Sequence, residues 1–143
     1  MILYCDTSAL IKRYVEEQGT DAMDSLWSAS LRIATSVVAF AETAATFSRK
    51  LREGILTEKE YAVALKTFKA DFDSFILVTV TPSLNEEIER LVREYPLRGF
   101  DAIHLSSALM IKTSGNIPVQ FACFDRPLNE AALKEGLTVA VQK

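Results

Sequence analysis

Short apolar runs alternate with longer segments of helical spacing along this chain, which predicts strands that alternate with helices. The first run, Met1–Cys5, is apolar at every position, as in a strand that is buried on both faces of a sheet. The polar tripeptide Asp6-Thr7-Ser8 ends this run, and either Thr7 or Ser8 is expected to cap a helix that continues to Tyr14. The chain therefore opens with a predicted strand that is followed directly by a helix.

The remaining elements are predicted from the same two patterns. Further strands are expected at residues 33–35, 76–80, 120–124 and 137–141. Helical spacing is found at residues 22–27, 36–51, 60–68, 84–92, 101–111 and 128–135. Gly54 is expected to close the long helix that begins at Ser36. Thr57 and Glu60 have the spacing of a capping box for the next helix, and Thr81-Pro82 is suited to start the one after it.

Strands that are nearly continuous in apolar residues and alternate with helices predict a sheet covered on both faces. The expected fold is an α/β three-layer α/β/α sandwich with a mostly parallel central sheet. The 143 residues contain no repeat or low-complexity linker, so residues 1–143 are expected to form a single domain. Sheets of this kind bind ligands beyond the carboxyl ends of their strands, which directs attention to the residues that follow each strand.

Composition restricts the classes of function. The formal net charge of −3 gives no overall attraction to nucleic acid, so a phosphate substrate would need bound cations. No apolar run approaches the roughly 20 residues that cross a bilayer, and charged residues interrupt the N-terminal run, so no membrane association and a cytoplasmic location are expected. Cys5 and Cys123 lie within apolar runs and are expected to be free core residues.

Four acidic residues stand where the predicted sheet would bind a ligand. Asp6 follows the first strand and Asp125 follows the fourth, so both are expected at the same edge of the sheet. Glu42 lies about two turns into the helix after the second strand, and its long side chain can lean back toward that edge. Asp101 opens a helix, where a carboxylate interacts favourably with the helix terminus.

A group of carboxylates without matching histidine or cysteine ligands is typical of a site for a hard divalent cation, Mg²⁺ or Mn²⁺. Such an ion can activate a water for attack on a phosphodiester. Asp6, Asp101 and Asp125 are the candidate ligands, directly or through water, while Glu42 could be either a ligand or the base that orients the water.

Five further residues have two interpretations each. Thr7 and Ser8 could each donate to a ligand carboxylate or to phosphate or cap the first helix, and both roles are expected for Thr7. His104, the only histidine, could bind a ligand or phosphate, but a packed helix residue is the favoured interpretation. Arg49 lies on nearly the same helix face as Glu42 and could contact phosphate, as could Arg126, although both also suit a solvated helix surface.

The acids and their neighbours resemble the PIN-domain ribonucleases, particularly the VapC toxins of prokaryotic toxin–antitoxin pairs. The motifs that carry the resemblance are Asp6-Thr7-Ser8-Ala9-Leu10-Ile11-Lys12, Ala41-Glu42, Phe100-Asp101-Ala102-Ile103-His104-Leu105 and Phe124-Asp125-Arg126-Pro127-Leu128. They occur in the family's order over essentially the whole chain. The resemblance implies a three-layer domain, magnesium-dependent endonucleolytic cleavage of RNA, a homodimer, and a co-encoded antitoxin that covers the site.

Two other classes of function remain open. A catalytically silent PIN-like interaction module would be expected to have a broken set of acids, whereas all four are present. A magnesium-dependent phosphotransfer or signalling domain usually has paired acids after the first strand and a lysine after the last. Here Asp6 is followed by Thr7-Ser8, and Lys143 is only terminal.

Overall fold

The computed structural model describes residues 1–141, and its strands and helices alternate as the hydrophobic pattern predicts. The strands are β1 (Ile2–Cys5), β2 (Arg32–Ser36), β3 (Ile76–Val78), β4 (Val119–Ala122) and β5 (Thr138–Val139). The helices are α1 (Thr7–Tyr14), α2 (Thr20–Ala29), α3 (Ala39–Arg52), α4 (Glu58–Phe72), α5 (Asn85–Glu94), α6 (Gly99–Ser114) and α7 (Arg126–Lys134), with a 3₁₀ turn at Pro82–Leu84. Within the described residues, no helix is both long enough and apolar enough to cross a membrane.

The five strands form one sheet in the order β3-β2-β1-β4-β5, and every pair of neighbours among the described residues is parallel. The first strand is central, with Tyr4 paired to Ala34 of β2 on one side and to Phe121 of β4 on the other. After β1, the chain adds β2 and β3 on one side of it, and then β4 and β5 on the other side. The carboxyl ends of β1 and β4 therefore flank the switch point at which parallel sheets bind ligands.

Alternation of side chains along β1 separates two apolar layers. Leu3 and Cys5 pack with the buried residues of α1, α2, α3 and α4, whereas Ile2 and Tyr4 pack with those of α5, α6 and α7. The three-layer α/β/α sandwich is thus confirmed. Cys5 and Cys123 are both buried and free, as predicted, one in each layer.

The prediction that Thr7 or Ser8 caps α1 was wrong. Asp6 is the capping residue, because its backbone is extended and its carboxylate accepts the Ala9 N–H at 3.0 Å, which leaves Thr7 as the first helical residue. The predicted capping box of α4 is confirmed by reciprocal hydrogen bonds between Thr57 and Glu60.

Several element boundaries differ from the predicted ones. Ser36, predicted as the start of a helix, is the last residue of β2 and pairs with Val78, and its hydroxyl accepts the Val38 N–H at 3.3 Å in the turn before α3. Gly54 follows the end of α3 with φ of +75°, which confirms its predicted role because this conformation favours glycine. The last three strands end earlier than predicted, and α6 begins two residues before Asp101.

Candidate active site

Asp6 and Asp125 reach the same edge of the sheet, as their positions after β1 and β4 predict. The Asp6 backbone N–H donates to the Ala122 carbonyl at 3.1 Å and so continues the pairing of the two strands by one residue. Asp125 then caps α7, because its carboxylate accepts the Leu128 N–H at 3.1 Å. Each of the two acids therefore also fixes the start of a helix, which gives it a defined position.

Two small side chains hold the loops that carry these acids. The Ser8 hydroxyl donates to Oδ1 of Asp6 at 2.7 Å and accepts the backbone N–H of Phe124 at 2.9 Å. The Cys123 thiol lies 3.3 Å from both the N–H and the carbonyl oxygen of Asp125. Ser8 thus joins the loop after β1 to the loop after β4, while Cys123 shapes the turn before α7.

Glu42 reaches the site from α3 with a half-buried side chain. Its Oε1 accepts a hydrogen bond from the Thr7 hydroxyl at 2.7 Å and lies 2.9 Å from Nε2 of His104. Partial burial would raise the pKa of Glu42, but the hydrogen bonds from His104 and Thr7 outweigh it and hold the pKa below its usual value. Glu42 is therefore ionised at neutral pH.

Asp101 lies in the first turn of α6, and its side chain is largely buried. Oδ2 accepts the backbone N–H of Arg98 at 3.2 Å, and the Nε of the same arginine lies 3.5 Å away. The start of the helix and the guanidinium both favour a negative charge at this position. Asp101 is close enough to Asp6 to raise the pKa of that residue, so the two acids belong to one electrostatic neighbourhood.

Asp6 is the most deeply buried of the four acids, with 5% of its surface exposed. Burial raises the pKa of Asp6 to about 6, and the charge of Asp101 adds to this effect, while the hydrogen bonds from Ser8 and the Ala9 N–H oppose it. Burial also raises the pKa of the Cys123 thiol, and the charges of Asp6, Asp125 and Asp101 act in the same direction. The charges of three predicted site acids thus act on the same thiol.

The chemistry of these side chains fits a hard divalent cation better than a softer metal. The donors are carboxylate oxygens, and the neighbouring thiol remains protonated because its pKa is raised. Among residues 1–141, no three acidic, histidine or cysteine side chains lie close enough together to surround an ion directly. Mg²⁺ commonly keeps several waters and takes only one or two protein carboxylates, so its binding does not require such a cluster. A cation would also relieve the cost of ionising the buried Asp6.

The two arginines singled out from the sequence do not touch the acids. Arg49 is exposed and lies 4.0 Å from Glu53, while Arg126 is exposed and pairs with Glu130 at 3.1 Å. His104 is buried, as predicted for a packed helix residue, but its ring also bonds to Glu42, a partner that the sequence did not identify.

Two residues near the acids were missed by sequence reasoning, whereas Ser8 donates to the carboxylate of Asp6 as one of its two interpretations predicts. Arg98 stands three positions before Asp101, so its spacing offered a signal. Tyr4 offered none, because it is one apolar residue among others in β1, and yet its hydroxyl lies 2.9 Å from Nδ1 of His104.

Comparison with known proteins gives concordant results. A family model described as PIN domain matches residues 3–134. The chain is 31% identical to Ribonuclease VapC45 of Mycobacterium tuberculosis over 139 residues, which are 97% of this chain and 94% of that protein. Among solved structures, the M. tuberculosis toxin VapC20, described as cleaving the sarcin-ricin loop, superimposes with a TM-score of 0.65 at 20% identity over 99% of both chains. VapBC2 of Rickettsia felis, solved with a fragment of its promoter DNA, gives a TM-score of 0.61 at 14% identity over 97% of each.

Proposed function

The chain belongs to the PIN-domain family, and we propose that it is a metal-dependent endoribonuclease that acts as the toxin of a toxin–antitoxin pair. The observation that carries this proposal is that Asp6 and Asp125 lie at the edge where β1 and β4 end, and that Asp6 is buried with its pKa raised to about 6 by burial and by the charge of Asp101. A relative with 31% identity over nearly the whole chain is named a ribonuclease, which supports the same reaction.

In the proposed mechanism Asp6, Asp101 and Asp125 would hold Mg²⁺ or Mn²⁺, directly or through water. Such an ion lowers the pKa of a bound water and offsets the charge of a phosphodiester. Glu42 is ionised and is held from α3, so it can serve as a further ligand or accept the proton of the attacking water. Ser8 and the Ala9 N–H occupy Oδ1 of Asp6 and thereby fix the plane of that carboxylate.

The substrate is proposed to be RNA, which must approach an acidic protein. Arg98 is the cationic side chain beside Asp101, and with 84% of its side chain exposed it is available to a phosphate. Arg49 and Arg126 are more distant candidates for contacts with RNA. Each pairs with an exposed glutamate four positions further along the chain, and exchange of such a weak pair for a phosphate costs little.

The proposed partners follow from the family rather than from contacts in this chain. A solved toxin–antitoxin complex from Klebsiella pneumoniae has a similar fold, which supports a co-encoded antitoxin for this chain that covers the acids. We further propose a homodimer. A toxin that cleaves RNA acts where its RNA is, so the proposed location is the cytoplasm.

The decisive experiment is cleavage of an RNA panel by purified protein with Mn²⁺ or Mg²⁺, with and without a chelator. Asp101→Asn should abolish cleavage while the circular dichroism spectrum stays unchanged. Asp21→Asn, at an exposed position in the first turn of α2, is the matched control and should cleave normally. Full activity of Asp101→Asn would exclude the proposed site, and a lack of cleavage by the parent protein across the panel would favour a catalytically silent interaction module.

A further inference from the structure

A buried chain of hydrogen bonds lies behind Glu42 and crosses all three layers of the fold. It runs from the Tyr4 hydroxyl in β1 to Nδ1 of His104 in α6, at 2.9 Å, and from Nε2 of His104 to Oε1 of Glu42 in α3, also at 2.9 Å. Tyr4 is fully buried and His104 is 2% exposed. Buried hydrogen bonds are stronger than those at a surface, and in each of them one of the two bonded atoms must carry the proton.

The direction of each hydrogen bond follows from the chemistry of its two ends. Glu42 is ionised and can only accept, so the proton of this bond must lie on Nε2 of His104. Burial raises the pKa of Tyr4 well above its usual value, so its hydroxyl keeps its proton and can donate to Nδ1. The Glu42 end therefore places a proton on Nε2, and the Tyr4 hydroxyl can offer its own proton to Nδ1.

The two oxygens of Glu42 differ in their surroundings. Oε1 is bonded to both Thr7, at 2.7 Å, and His104. Within residues 1–141, no hydrogen bond reaches Oε2. One oxygen is thus occupied by donors from α1 and α6, which leaves the other available to water or to a ligand at the site.

We propose that Tyr4 and His104 are positioning residues that hold Glu42 by Oε1 and present Oε2 to the attacking water. This inference rests on the proposed nuclease function and deepens it. A glutamate has three rotatable side-chain bonds, and its freedom costs free energy when a reaction requires one orientation. The two groups bonded to Oε1, the Thr7 hydroxyl and Nε2 of His104, restrict that freedom before the substrate arrives.

The proton position can be measured directly because His104 is the only histidine of the chain. In metal-free protein with ¹⁵N-labelled histidine and no purification tag, long-range ¹H–¹⁵N spectra should show a proton on Nε2, the nitrogen that faces Glu42. In Tyr4→Phe the preference for Nε2 should weaken, since the contact at Nδ1 is lost. A ring protonated at Nδ1 alone in the parent protein would overturn the inference, whatever the enzymatic activity.

A series of variants tests the same chain of hydrogen bonds by its effect on the kinetics of RNA cleavage. The amide of glutamine can take the place of Nε2, whereas asparagine can replace Nδ1 but does not reach Glu42. His104→Gln is therefore expected to keep most of kcat, while His104→Asn and His104→Leu lower kcat by roughly 10- to 100-fold with little change in KM. Tyr4→Phe should lower kcat by about 3- to 10-fold. Urea unfolding of each variant gives its folded fraction, so that a decrease in kcat caused by unfolding can be recognised.

The results for the His104 variants and for Asp101→Asn distinguish a failure of the positioning role from a failure of the proposed nuclease function. If His104→Gln is no more active than His104→Leu at equal folded fraction, the positioning role is excluded. Asp101→Asn should be inactive with the Nε2 proton unchanged. Full activity of Asp101→Asn would exclude the proposed nuclease site. The position of the proton on His104 would still be measured independently by the ¹H–¹⁵N spectrum.

Discussion

The hydroxyl of Thr7 donates a 2.7 Å hydrogen bond to Oε1 of Glu42 and thereby connects the start of α1 to the first turn of α3. Because Asp6 is the residue that caps α1, Thr7 is free to use its side chain for this contact. The two residues lie 35 positions apart in the sequence, and they meet because β1 and β2 are neighbours in the sheet.

Loss of the Thr7 hydroxyl should therefore affect the reaction more than the fold. Thr7→Val keeps the shape of the side chain but removes the donor, and we expect kcat for RNA cleavage to fall by roughly 3- to 10-fold. Thr7→Ser keeps the hydroxyl and should remain close to the parent protein. The comparison is made by steady-state kinetics, and equal kcat values for the two variants would show that this hydrogen bond does not assist Glu42.

Asp6 should make the metal-free protein less stable at neutral pH than at mildly acidic pH. Its pKa is about 6 in the folded chain against an ordinary value of 3.8, so ionisation above pH 6 costs on the order of 3 kcal/mol of folding free energy. As the pH falls from about 6 to about 4, the folded state takes up the proton first, and this cost disappears.

Asp6→Asn isolates that contribution, because asparagine also caps helices well and carries no charge. With a chelator present, the variant should unfold at a higher urea concentration than the parent at pH 7.5. The difference should shrink below pH 6 and vanish near pH 4. A constant difference over this range would mean that Asp6 does not titrate as described.

Divalent metal should stabilise the parent protein but not the variants that lack a site acid. Binding to the folded state alone raises its stability by about 2.7 kcal/mol when the free metal is a hundredfold above its dissociation constant. A thermal scan with increasing Mn²⁺ should therefore raise the Tm of the parent protein, with little change for Asp6→Asn or Asp101→Asn. An equal rise in all three proteins would mean that the metal binds elsewhere.

Ser8 should be important for both stability and the acidity of Asp6. Ser8→Ala removes the hydrogen bonds to Asp6 and to the Phe124 N–H, and we expect a loss of about 1–2 kcal/mol in the free energy of unfolding. The pKa of Asp6 should rise further, since the Ser8 hydroxyl lowers it. Urea unfolding measures the first effect. Ser28→Ala, at an exposed position in α2, is the control and should change little.

The layered fold could be predicted because it depends on apolar periodicity, which local sequence carries. The run Ile2–Cys5 is buried along its whole length, as its composition indicates. Helix starts were harder to predict, since Asp6, Thr7 and Ser8 are all competent caps and only the backbone conformation decides among them. Ser36 was misassigned for a similar reason, because a serine is suited both to a strand end and to the turn that follows.

The four acids could be found from their places after strands and at a helix start, but their partners could not. The contact between Tyr4 and His104 joins residues 100 positions apart, and nothing in β1 distinguishes this tyrosine from the apolar residues beside it. The long-range hydrogen bonds of the site depend on which strands become neighbours. The position of β1 between β2 and β4 is a property of the sheet topology, and no local sequence pattern predicts it.

The hydrogen bond between Ser8 and Phe124 joins residues 116 positions apart, and it has a consequence for the time at which the site is completed. During synthesis Asp6 leaves the ribosome early, but β1 must wait for β4 before its second edge is paired and Asp125 is brought beside it. Contacts so distant in sequence form late in folding. A nascent chain that still lacks β4 therefore cannot bring Asp125 beside Asp6, and the proposed site is completed only after β4 has been synthesised.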